Sequence, residues 1–83
     1  MKVLFFAQAR EAAGCDQCDV HVISPASPPL PQAVFWGGLI DAYPALAPLQ
    51  KTARLARNGT YLQKGELLHP DDEIAVIPPV SGG

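Results

Sequence analysis

The sequence predicts an α+β fold, a mixed sheet of about five strands with one main helix packed on one face. Three observations predict it. Apolar runs at residues 3–7 and 74–77 stand near the two ends of the chain, and such runs suit strands buried on both faces in the middle of a sheet. Between them, one stretch from Gln32 carries apolar residues at helical spacing. Further on, Asn58-Gly59 separates two short β-compatible segments, a strong hairpin signal.

The elements follow in order. Residues 2–7 form the first strand. Residues 8–17, polar and containing Gly14, read as a connection to a second strand at 19–23, rich in β-branched side chains. Pro25, Pro28, Pro29 and Pro31 make residues 24–31 an extended connector that cannot be helical inside. Phe35, Leu39 and Tyr43 then recur every four residues, with Ile40 and Ala42 beside them, so a helix is expected to end before Pro44. Gly37 and Gly38 each cost such a helix about 1 kcal/mol relative to alanine, unless they admit the close approach of another backbone. Trp36 lies off the main stripe and is expected at a partly buried helix edge or in solvent.

Pro44 and Pro48 bound a second break, with Leu46 and Leu49 placed to cap the core. Residues 55–58 and 60–62 flank the Asn58-Gly59 turn. Leu67 and Leu68 precede the acidic turn His69-Pro70-Asp71-Asp72, in which His69 reads as a solvated loop residue. Residues 73–77 make the last strand, and Pro78-Pro79 stops it because proline cannot donate to a ladder. The order is β-β-α-β-β-β. With the two terminal strands side by side in the sheet centre and the helix over one face, this is a β-grasp arrangement. Residues 1–78 are expected to form the domain and 79–83 an extended tail.

Size and charge narrow the function. A chain of 83 residues with 48% hydrophobic and 17% charged side chains supports one globular domain, and an enclosed active site is hard to build at that size. A carrier or binding module fits better. The formal net charge of −2 leaves nucleic acid an improbable partner, since only Lys51, Arg54 and Arg57 cluster loosely; these read as a solvated edge. The N-terminal apolar run is too short for a signal core or a membrane span, so a cytoplasmic location and no membrane partner are expected.

Cys15 and Cys18 form a lone Cys-x-x-Cys. Zinc takes about four ligands, and His21 with Asp16 or Asp19 would complete only a crowded set. A redox pair normally opens a helix, whereas a strand is expected here. The two are read as incidental thiols, with no metal site and no bound cofactor.

The chemistry is expected in the closing residues, Pro78-Pro79-Val80-Ser81-Gly82-Gly83. The prolines hold the exit extended. The glycines let backbone enter a cleft where any Cβ would clash. A projecting Gly-Gly carboxylate suits acyl activation: an adenylate forms, and a thiol, persulfide or amine attacks it. Attack by a sulfur donor leaves a thiocarboxylate. A terminal Gly-Gly alone also describes a frayed end; the Pro-Pro exit and the β-grasp pattern argue against that.

Residues 2–11, Lys2-Val3-Leu4-Phe5-Phe6-Ala7-Gln8-Ala9-Arg10-Glu11, together with residues 77–83, closely resemble the small, sulfur-carrying subunit of molybdopterin synthase, a ubiquitin-like family. The resemblance implies that Gly83 is adenylated by an ATP-using activating enzyme and converted to a thiocarboxylate with sulfur from a persulfide donor. The tail, Pro79, Val80, Ser81 and Gly82, would then enter the large synthase subunit and deliver sulfur to cyclic pyranopterin monophosphate. It also implies a heterotetramer with the catalytic groups in the large subunit, the carrier being no enzyme by itself. Arg10 matches the family motif. The Pro-rich connector, the Gly37-Gly38 pair, the Cys-x-x-Cys and the Pro70-Asp71-Asp72 turn depart from the pattern. Rival readings are a carrier for thiazole or tRNA thiolation, a ubiquitin-like modifier, and an interaction domain with an inert tail.

Overall fold

Apolar runs from opposite ends of the chain become neighbours. The computed structural model describes residues 1–19 and 30–79. Within them run β1 (Lys2–Phe5), α1 (Gln8–Ala13), β2 (Gln17–Asp19), α2 (Gln32–Ala42), a 3₁₀ helix (Pro44–Leu49), β3 (Arg54–Arg57), β4 (Thr60–Tyr61) and β5 (Glu73–Ile77). The sheet order is β2-β1-β5-β3-β4. β1 and β5 pair in parallel, with Val3 beside Ile74 and Phe5 beside Val76. The remaining pairings are antiparallel. The two terminal strands therefore lie together inside the sheet, as the sequence predicts, with β5 central.

Strand alternation sorts the side chains onto two faces. Val3, Phe5, Leu55, Ile74 and Val76 point to one face and are buried with Phe35, Trp36 and Leu39 of α2 and Leu46 of the 3₁₀ helix. Each such side chain contributes about 1.5–3 kcal/mol on burial. The opposite face carries Lys2, Leu4, Glu73, Ala75, Ile77, Arg54, Ala56 and Tyr61 by the same alternation and register.

The local structure departs from expectation at several points. Residues 8–13 are helical rather than a plain connection: Gln, Ala, Arg and Glu are strong helix formers, and Gly14 at φ 76° closes the turn by donating its N–H to the Arg10 carbonyl (2.9 Å). β2 begins at Gln17, two residues before the expected strand start; residues 20–23 of that strand, with His21, lie outside the described residues, as do residues 24–29 of the connector. Trp36 is buried, its ring meeting Phe35 edge-on at 6.3 Å. Gly37 is exposed, and a Cβ built there meets nothing within 4 Å, so no backbone approaches it.

The cationic cluster also divides. Arg57 donates to the Leu67 carbonyl (2.7 Å) and to Glu66 (3.3 Å), and lies 3.7 Å from Asp72. It thereby holds the loop that Gln32 ties to α2 through the Gln63 and Glu66 carbonyls (3.0 and 2.9 Å). Arg57 is a structural clamp, not a solvated edge residue. Asn58 and Gly59, at φ 50° and 88°, make the expected tight turn between β3 and β4.

Candidate functional site at the exit of the central strand

The end of β5 is where an internal strand leaves the sheet. Pro78 is buried and Pro79 exposed. Neither can donate a backbone hydrogen bond, so pairing stops there. Pro79 is the one predicted tail residue within the described set; Val80, Ser81, Gly82 and Gly83 lie outside it.

Two neighbours frame the exit. On one side, the Phe6 N–H donates to the Val76 carbonyl (3.3 Å). On the other, Arg54 stands opposite Ile77 in the β3–β5 register. Phe6 is 48% exposed and Tyr61 46%, while Phe5 is buried. With Leu4, Ala75 and Ile77 these rings give the open sheet face a largely apolar end beside the exit. The Arg54 guanidinium lies 4.1 Å above the Tyr61 ring centroid, an attraction of a cation for a ring's negative face.

Just past β1 the chain turns sharply. Ala7 sits at φ 49°, ψ −122°, a conformation that L residues rarely adopt. It redirects the backbone from β1 into α1 and leaves a cavity of about 340 Å³ lined by Leu4, Phe6, Ala7, Arg10, Asp16 and Gln17. Arg10 and Asp16 approach to 4.0 Å there, both well exposed. Such a pair contributes under about 1 kcal/mol and leaves Arg10 available to a partner.

Cys15 and Cys18 lie elsewhere, half-buried near Tyr43 at the end of α2. The Cys15 thiol donates to the Tyr43 hydroxyl (3.9 Å). Hydrogen bonds to Cys18 and Cys15 push the Tyr43 phenol up to about 12, and burial pushes the Cys18 thiol up. A raised thiol holds its proton, which suits packing rather than nucleophilic attack. Among the described residues no group of three or more His, Cys, Asp or Glu side chains is arranged to hold a metal ion. No described helix is long and apolar enough to cross a membrane.

Sequence reasoning finds the exit and part of its frame. It weighs Phe5 or Phe6 for an exposed surface beside the tail and favours the core, whereas the structure buries Phe5 and exposes Phe6. The exposure of Phe6 and the Arg54–Tyr61 contact depend on strand parity and register. Counting alternate residues back from Phe6 to Leu4 would have signalled the first; nothing local signals the second.

Comparison with known proteins adds a family. The ThiS family model matches residues 3–83. The molybdopterin synthase sulfur carrier subunit of Chlamydomonas reinhardtii is 39% identical over 85 residues, spanning 100% of this chain and 98% of that protein. The human protein of the same name is 32% identical over 90 residues, spanning 100% and 93%. Among solved structures, SAMP1 of Haloferax volcanii, a small archaeal modifier protein, superposes with a TM-score of 0.78 at 27% identity, covering 100% of this chain and 98% of that one.

Proposed function

The chain belongs to the ThiS family, and from that premise we propose that it is the sulfur carrier subunit of a molybdopterin synthase, with Gly83 as the acyl site. One observation carries the reading: the family match continues through Gly83, while among the described residues Pro78 is the last buried one. The family relation thus extends past the last described residue to the closing glycines. The domain comprises residues 1–78, and Pro79, Val80, Ser81, Gly82 and Gly83 form the tail.

The chemistry proceeds in balanced steps. The Gly83 carboxylate attacks the α-phosphorus of ATP on an activating enzyme, giving the acyl-adenylate and releasing pyrophosphate. A persulfide donor's terminal sulfur displaces AMP, and thiol reduction of the resulting acyl disulfide leaves the thiocarboxylate. That sulfur is delivered to cyclic pyranopterin monophosphate in the large subunit, and hydrolysis returns the carboxylate. This chain contributes the acyl group, the slender tail and the docking face. It supplies no catalytic base or bound cofactor; ATP serves the activating enzyme. We place these reactions in the cytoplasm, in a heterotetramer with the large subunit.

A variant with one residue added after Gly83 tests the assignment. It is expected to keep its thermal midpoint and to lose sulfur transfer. Wild-type transfer by the extended chain, with the extra residue confirmed intact, contradicts the assignment.

The likeness to SAMP1, by name a modifier protein, favours a second reading: the activated carboxylate joins protein amines. Covalent conjugates of higher mass in the activation reaction mark that outcome.

A further inference from the structure

Arg10 and Arg57 each face a carboxylate, Asp16 for the first and Glu66 and Asp72 for the second. Arg54 does not: among the described residues its charge rests on the Tyr61 ring alone. It is exposed, and it lies opposite Ile77, the last residue before the Pro78-Pro79 exit. Around it the open face is apolar, with Ala75, Ile77 and Tyr61 as neighbours by register.

Resting on the carrier reading above, we propose that Arg54, held over the Tyr61 ring, reads a carboxylate on the large synthase subunit and so helps select that partner. A protein that takes the tail must cover the surface from which the tail emerges. Covering it strips water from the guanidinium, and an unpaired buried cation is strongly unfavourable. The guanidinium presents N–H donors in a planar fork that a carboxylate accepts with two parallel bonds. A surface lacking an acid at that point is rejected; a surface carrying one is favoured. The chain's net charge of −2 cannot supply this preference, because it disfavours acidic partners at long range. The selection is local.

Binding of the full chain to the large subunit of the same organism, measured by titration calorimetry, tests the proposal. Arg54→Leu is expected to weaken binding by roughly 30-fold or more, as for truncating one member of a covered charge pair, and Arg54→Glu to weaken it further. Arg54→Lys keeps the charge without the planar fork and falls between wild type and the leucine variant. Unchanged thermal midpoints show that each variant folds, as expected for an exposed side chain. Replacing the facing carboxylate of the large subunit by lysine restores binding of the Arg54→Glu chain. Equal or tighter binding by Arg54→Leu overturns the proposal.

The two readings fail separately. If wild type forms the thiocarboxylate and binds the large subunit, but Arg54→Leu binds it equally well, the proposal falls and the carrier reading stands. If binding depends on Arg54 but no thiocarboxylate forms with a competent activating enzyme, the carrier reading falls.

Discussion

Tyr43 joins three parts of the molecule through one side chain. Its ring meets Phe5 of β1 edge-on, with centroids 5.6 Å apart. Its hydroxyl accepts from Cys15 (3.9 Å), after the end of α1, and also bonds Cys18 in β2. The Cys-x-x-Cys is legible in the sequence as a pair, but its partner is 28 residues from Cys15, beyond any local pattern. The hydrogen bonds raise the phenol from 10.0 to about 12, so the folded state keeps its proton while the unfolded chain loses it. Across that window the unfolded state binds fewer protons, and stability falls as pH rises. Cys18, raised from 9.0, acts in the same direction. Tyr43→Phe is expected to flatten the decline between pH 10 and about 12. Denaturant midpoints at several pH values check this; an unchanged slope contradicts it.

At the scale of elements, α2 shows what periodicity reveals and what it conceals. Phe35, Leu39 and Tyr43 mark the right helix, Gln32–Ala42, and Pro44 ends it as expected. Trp36 is missed because a helix lying across a sheet buries more than one row: residues 36 and 40 form a second row beside the first, and Trp36 is buried while Ile40 is partly so. α1 is missed for the opposite reason. Six residues with Ala9 as their one buried side chain give no periodic signal. Gly37 shows a local weakness without a structural purpose. It sits exposed inside α2, with open space where a Cβ would be. Gly37→Ala is therefore expected to stabilise the protein by about 0.5–1 kcal/mol. In a domain of this size the upper end corresponds to a rise in melting temperature of about 4–8 °C. A fall in melting temperature contradicts the open space at this position.

For the whole molecule, the pairing of β1 with β5 couples the fold to the proposed function. The strand that precedes the tail is held between β1 and β3. Its parallel partner ends at Phe5, next to exposed Phe6. An anchored strand with a Pro-Pro exit fixes where Pro79 leaves the sheet relative to the open face, which under the proposed function would aim the tail when that face is docked. The central pair is legible because two apolar runs suit positions buried on both faces. The composition of the open face is not: Arg54, Tyr61 and Ile77 come together only through register across β3, β4 and β5. The Gly-Gly motif, in contrast, is legible because its proposed chemistry needs a slender terminal acyl group rather than a constellation of side chains.

The most direct measurement is the intact mass of the full chain after incubation with an activating enzyme, ATP, a persulfide donor and a thiol reductant. The account predicts a gain of about 16 daltons, one oxygen exchanged for sulfur, placed at Gly83 by fragmentation and lost on treatment that hydrolyses a thiocarboxylate. An unmodified Gly83 with an activating enzyme that charges a related carrier under the same conditions contradicts it.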